Sequence, residues 1–168
     1  MSRFDTIYAI DPGPAESALV ILGNPPDPQE HIPARFLPND AMLEYLRRHT
    51  DGLGLLTVEW LECQGAVVGA STFYTAFWIG RFAEAWGGPY AMILRREVKL
   101  YLCGSTKAKD AHIREAVIAR LGAPGTKKAQ GPTYGWAGHC WQAGGVALTA
   151  AAGLWGTGGP TLRVASTE

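Results

Sequence analysis

The sequence predicts an α/β fold in which helices flank a mixed central sheet. Three observations predict it. Short apolar runs separated by turn residues open the chain and read as three consecutive strands. Helical stretches then alternate with further apolar runs, the pattern of a mixed sheet covered by helices. Two of the apolar runs stop at a carboxylate, Asp11 and Glu59. Polar groups at the C-terminal ends of buried strands gather at one sheet edge, where α/β sites usually lie.

Ile7 to Ile10 form the first strand, which ends at Asp11 with Pro-Gly directly after it. Asp, Pro and Gly are all turn formers, so turn chemistry alone is one reading of Asp11. Ala18 to Leu22 make the second strand, and "ARFL" a third after the proline-rich loop "GNPPDPQEHIP". "PNDAMLEYLRRH" is a helix, with Asn39 or Asp40 as N-cap and Met42, Leu43 and Leu46 as its apolar stripe. "LGLLTVEW" is a buried strand ending at Glu59. The aromatic-rich segment from about Val68 to Trp86 has helical spacing, "PYAMIL" is a strand, and "EVKLYLCG" is a short helix or extended stretch. "TKAKDAHIREAVIARLG" is a helix with Ile113, Val117, Ile118 and Leu121 on one face and Gly122 as its stop. "APGTKKAQGPTYGWAG" reads as an exposed loop, and a last helix runs from near His139 to about Leu154.

The 168 residues fit one domain, 1–168, with no internal repeat or linker. No apolar run reaches the roughly 18 residues of a membrane span. The start "MSRFD" has no apolar h-region, so no secretion signal is expected. Three cysteines, Cys63, Cys103 and Cys140, are odd in number and lack metal-type spacing, which fits a reduced cytoplasmic protein. Net charge is zero, but it is split along the chain. Residues 1–93 hold five Lys/Arg against eleven Asp/Glu, and residues 94–168 hold ten against four. The clusters "RREVK", "KAK" (Lys107, Lys109) and "KK" (Lys127, Lys128) can form a basic face or simply a solvated surface. Neither a Walker-type glycine loop nor Gly-x-Ser-x-Gly is present.

If the strands ending at Asp11 and Glu59 are neighbours, their carboxylates sit side by side. Two anions about 4 Å apart repel by roughly 4 kcal/mol at an effective dielectric of about 20. They need a cation, a shared proton or strong donors. A divalent cation with oxygen ligands is a natural partner, and Mg²⁺ is usual where the substrate carries phosphate. His139, at the start of the last helix, could point to the same edge, or simply cap the helix or lie on the surface. Gln142 at i+3 shares its helix face. The adjacent Gly144 and Gly145 cost about 1–2 kcal/mol of helix propensity, consistent with close packing against the sheet.

Taken together, "IDPG", "TVEW", "TFYTAFWIGRFAEAW", "VKLYLCGSTKAKDAHIREAVIARLG" and "HCWQAGGVALTA" resemble the RuvC-type Holliday-junction resolvases of the ribonuclease-H-like superfamily, most closely a branch often encoded by bacteriophages. The pieces occur in family order and cover most of the chain. The resemblance implies a cytoplasmic homodimer that binds four-way DNA junctions and cuts two opposed strands, using Mg²⁺ or Mn²⁺. The expected reaction is hydrolysis of the phosphodiester by in-line attack of water, for which one bound metal would activate the water and a second would stabilise the leaving 3′ oxygen. The resemblance implies Asp11, Glu59 and His139 as metal ligands and Lys109 or Lys107 as the lysine that stabilises the attacked phosphate. Phe73 lies in the region where some relatives carry a base-stacking aromatic. Many members have an Asp where this chain has Gln142, so the fourth ligand is either Gln142 or Asp110, which otherwise stabilises its helix end. Two rivals stay open: a ribonuclease H or flap nuclease on the same fold, and a junction-binding protein without catalysis.

Overall fold

A computed structural model describes residues 4–166 except 28, 51, 64 and 157. The initial Met-Ser-Arg and the last two residues of the expected 1–168 domain lie outside the described residues. β1 (Thr6–Asp11), β2 (Glu16–Gly23) and β3 (Ala34–Pro38) form an antiparallel meander. Helix α1 (Asn39–Arg48) leads to β4 (Gly54–Trp60), which pairs parallel with β1. Helix α2 (Ala70–Trp86) crosses over to β5 (Tyr90–Leu94), parallel to β4. Helices α3 (Arg95–Cys103) and α4 (Asp110–Leu121) follow, then a hairpin of β6 (Gly125–Thr126) and β7 (Ala129–Gln130), helix α5 (Cys140–Trp155) and β8 (Val164–Ala165). The six-stranded sheet has the order β3-β2-β1-β4-β5-β8. This is the expected mixed sheet flanked by helices.

The sheet separates two cores, and strand alternation assigns each residue to one of them. Tyr8, Ile10, Leu19, Leu56 and Val58 face α1 and α2, meeting Met42, Leu46, Phe82 and Trp86. Ile7, Ala9, Ala18, Val20 and Ile93 face α3, α4 and α5, meeting Val98, Ile113, Val117, Val146 and Ala147. Counting on from these residues by twos, Asp11 falls on the second face. Glu59 is one residue past Val58, so it falls on that face as well.

Of the two readings of "EVKLYLCG" the helix holds, in α3 with Gly104 as its C-cap. Several other expectations are corrected. The helix after α3 starts at Asp110, not at Thr106, and Ile118 is only partly buried on its face. The N-cap position of α1 is Pro38, with no side-chain cap. Asn39 instead turns inward and is buried. Ser17 Oγ donates to Asn39 Oδ1 (2.7 Å), Asn39 Nδ2 donates to the Gly13 carbonyl (3.0 Å), and the Gly13 N–H donates to Ser17 Oγ (3.2 Å). This ring of bonds fixes the turn after Asp11. Gly13 is required there, because a Cβ would lie 2.3 Å from the Glu16 carbonyl oxygen.

The segment from Ala123 to Gly138 is not a wholly exposed loop. It forms the β6–β7 hairpin, then buries Thr133 and Trp136. Thr133 Oγ1 donates to the Gly122 carbonyl (2.8 Å) and Trp136 Nε1 to the Ile32 carbonyl (3.0 Å). Gly144 and Gly145 also differ from expectation. Their missing side chains make room for Trp136, and for Ile113, Leu102 and Val98 of α3 and α4, not for the sheet.

Replacing Asn39 with Ala strips two buried hydrogen bonds from the turn. The expected loss is about 1–3 kcal/mol, or a Tm lower by roughly 2–10 °C for a chain of this size. Thermal denaturation of Asn39→Ala beside the wild type measures it, and an unchanged Tm would show that the ring of bonds does not hold the turn.

Candidate active site

Parallel pairing of β1 and β4 runs to Ile10 opposite Val58, and each strand's next residue is a carboxylate. Asp11 and Glu59 thus emerge from adjacent strands on one face, both 8% exposed. Burial is the main influence on each. It raises the Asp11 carboxyl above its ordinary range, partly offset by the hydrogen bond and charge of His139. It pushes Glu59 up to about 7, with Arg95 opposing the rise and the negative charges of Asp11 and Asp110 adding to it.

Two nitrogen-bearing side chains answer these carboxylates. His139, the N-cap residue of α5, donates from Nδ1 to Asp11 Oδ2 at 2.8 Å. The exposed Phe36 ring of β3 stacks on its imidazole, centroids 5.9 Å apart. Arg95, the first residue of α3, donates from Nη1 to Glu59 Oε1 (3.0 Å) and Oε2 (3.4 Å), and from Nη2 to Asp110 Oδ1. One guanidinium therefore joins the end of β4 to the start of α4.

A cavity of about 760 Å³ opens beside this cluster, lined by Asp110, Arg114, Trp136, His139, Trp141 and Gln142 among others. The Arg114 guanidinium lies over the Trp141 ring at 5.0 Å. Gln142 is buried and its Oε1 has no hydrogen-bond partner. An acceptor left this way costs about 1–3 kcal/mol and lacks a donor or a cation. On the other side of His139 a cleft of about 330 Å³ is lined by Asp11, Gly13, Phe36 and His139.

Of the residues singled out in the sequence, Asp11, Glu59 and His139 come together at this edge, and Gln142 lines the cavity beside His139. Asp110 joins them through Arg95 while also opening α4. Lys107 is exposed and lines a different cleft, with Ser105 and His112 between α3 and α4. Lys109 is exposed at the N-cap of α4 and forms none of the ion pairs among the described residues. Lys127 and Lys128 form the exposed tip of the β6–β7 hairpin. Phe73 is 68% exposed in the first turn of α2, in the opposite helical layer from His139. In the sequence Arg95 is one of a basic run, "RREVK". The signal that marked Asp11 and Glu59 marks it too: it directly follows Leu94, the last residue of a strand parallel to β4.

The donor set is oxygen-rich, with two buried carboxylates, a third at the rim and an unpartnered amide oxygen, and it suits a hard divalent cation. Among the described residues, no group of three His, Cys, Asp or Glu side chains is already gathered as a metal site. Arg95 occupies both oxygens of Glu59 instead.

The same arrangement of strands and helices occurs in a solved structure of Thermus thermophilus RuvC, with a TM-score of 0.62 and 19% identity over 95% of this chain and 99% of that one. The chain has the RuvC fold. A structure of T. thermophilus RuvC in complex with a Holliday junction substrate agrees, with a TM-score of 0.66 and 16% identity over the same shares. No family model and no curated protein matches the sequence. On the RuvC fold, the edge carrying Asp11 and Glu59 is formed by the central pair of parallel strands.

The raised Glu59 carboxyl makes a signed prediction. A carboxyl that titrates near 7 when folded and near 4.5 when unfolded stabilises the fold fully below about pH 4.5. That contribution is lost as pH rises through 7. Asp11 acts with the same sign. With chelator present, the wild-type Tm should carry a component that falls between pH 5 and pH 8, and Glu59→Gln should flatten it. Thermal scans across that range test this, and parallel wild-type and variant profiles would count against a raised Glu59.

Proposed function

We propose that the chain is a single RuvC-like nuclease domain, 1–168, that resolves four-way (Holliday) DNA junctions by paired metal-dependent phosphodiester hydrolysis. The observation that carries this reading is the pair of buried carboxylates on adjacent strand ends, with His139 on Asp11, on a fold shared with a protein solved with a Holliday junction. Asp11, Glu59, His139 and Gln142 would hold Mg²⁺, or Mn²⁺ in its place. Such a cation supplies positive charge for the phosphate and lowers the pKa of water.

The chain's own groups do the rest. Asp11 is held in one orientation by the His139 N–H. Glu59 must be ionised to serve, so the reaction should gain from a pH above about 7. Lys109 stabilises the charge on the attacked phosphate, and Lys107, Lys127 and Lys128 neutralise neighbouring phosphates. Phe73 stacks on a base. The products are a 5′ phosphate and a 3′ hydroxyl.

Cutting two opposed strands calls for two sites, and thus a homodimer. The exposed Tyr74 and Phe77 on α2 supply an apolar surface for such pairing. No helix among the described residues is long and apolar enough to cross a membrane. We place the protein in the cytoplasm of a bacterial or phage-infected cell, in the bacteriophage-like branch. The Arg95–Glu59 ion pair favours one alternative, a junction-binding protein without catalysis, because it leaves Glu59 engaged.

Cleavage of a synthetic four-way junction with and without Mg²⁺, mapped on all four strands beside flaps, RNA–DNA hybrids and linear duplex, tests the reading. Asp11→Asn and Glu59→Gln should each abolish cleavage and spare junction binding. A residual rate above about a tenth of wild type, a barrier change of only some 1.4 kcal/mol, would reject the role given to that residue. Tight binding with no nicking by the wild type in either metal would favour the alternative.

Gln142→Asp adds a carboxylate where the unpartnered amide oxygen stands. It should lower the Mg²⁺ concentration for half-maximal cleavage. Superimposable Mg²⁺ titrations of wild type and variant would remove Gln142 from the site.

A further inference from the structure

Arg95 is the one cation that touches both the buried and the exposed end of the acidic cluster among the described residues. It sits on a gradient of exposure. The side chain of Glu59 is 10% exposed, that of Arg95 34% and that of Asp110 69%. The guanidinium thus has a deep carboxylate on one side and a solvated one on the other. Its planar fork holds both Glu59 oxygens through one nitrogen while the other nitrogen holds Asp110.

Glu59 is the carboxylate with most need of a cation, since burial and Asp11 both disfavour its charge. Arg95 meets that need only in part, since the Glu59 carboxyl stays raised with the guanidinium on it. Beside the cavity that Asp110 and His139 line, the buried Gln142 Oε1 has no donor. The site is partly compensated at Glu59 and unsatisfied at Gln142.

We propose that Arg95 is a resident counter-cation that competes with the divalent metal for Glu59, and that Asp110 is the carboxylate onto which it withdraws when metal enters. The inference rests on the metal-site reading above. The exchange breaks the Arg95–Glu59 ion pair and keeps the Arg95–Asp110 pair, so the guanidinium never loses its last anionic partner. Moving it outward also takes it toward solvent, where its hydration compensates for the lost bond. Asp110 is in this account a positioning residue for Arg95, not a metal ligand.

Direct Mn²⁺ binding by calorimetry, without DNA and without turnover, tests it. Arg95→Met should tighten Mn²⁺ by about tenfold, as expected when a nearby like charge is removed. Arg95→Lys keeps the charge but loses the fork, and should tighten it by about threefold. If Arg95→Met does not fold, Arg95→Lys carries the test. Arg96, paired with Glu62 at 2.9 Å, is the control for general charge; Arg96→Met should leave the affinity nearly unchanged. Asp110→Asn should weaken Mn²⁺ in the wild-type background, because Arg95 then stays on Glu59, and should have little effect in the Arg95→Met background.

An affinity that is unchanged or weaker in the Arg95 variants overturns the proposal. So does equal tightening by Arg96→Met, which would mean mere long-range charge. Equal weakening by Asp110→Asn in both backgrounds overturns it as well, since Asp110 would then be a ligand. If the wild type and the Arg95 variants bind no Mn²⁺, the metal-site reading fails and the proposal with it. If the cycle holds while junctions are not cut, the competition stands and only the nuclease reading fails.

Discussion

The parallel pairing of β1 with β4 is the constraint on which the rest of the molecule depends. It brings two strand ends from distant parts of the chain to adjacent positions, and each ends in a carboxylate. Nothing in a sheet edge by itself tolerates two such charges at 8% exposure. The surrounding elements can be understood as supplying what that pair needs. Helix α5 brings His139 to Asp11, α3 brings Arg95 to Glu59, and α4 brings Asp110 to the far side of Arg95. Each of these residues stands at or beside the first residue of its helix, so small shifts at three helix starts would disperse the cluster.

Holding those starts in place is the work of less conspicuous groups. Trp136 fills the space left by Gly144 and is tied to the Ile32 carbonyl, which fixes the chain three residues before His139. Gly145 lets α5 approach α3 and α4 closely, at Val98, Leu102 and Ile113. Asn39 closes the turn behind Asp11 from the start of α1. The two glycines inside α5 sacrifice helix propensity for this packing.

Much of the fold was legible in the sequence because its strands are short, apolar and punctuated by turn residues. Asp11 and Glu59 stood out because a charge at the end of an apolar run breaks a pattern. His139 and Gln142 could be placed on one helix face by spacing alone. What the sequence concealed depends on long-range partners. Asn39 looks like a helix cap until Ser17 and Gly13 are beside it. Trp136 looks like a loop residue until Gly144 of α5 is seen to receive its ring. Arg95 was hidden by its basic neighbours, and its pairing with Asp110 joins two helix starts that periodicity cannot bring together. The two-residue strands β6, β7 and β8 carry too little pattern to be read locally.

The division of the sheet into two cores has a consequence for how such a chain can change over time. Odd-numbered residues of β1 serve one helical layer and even-numbered ones the other, and Asp11 belongs to the odd set. Inserting or deleting one residue between Thr6 and Asp11 would send the carboxylate to the layer of α1 and α2 and expel an apolar partner from each core at once. The strands can therefore accept exchanges of side chain but not changes of length. Drift in length must be confined to connections such as the one between β2 and β3, while the acidic edge is inherited in a fixed reading frame of alternating faces.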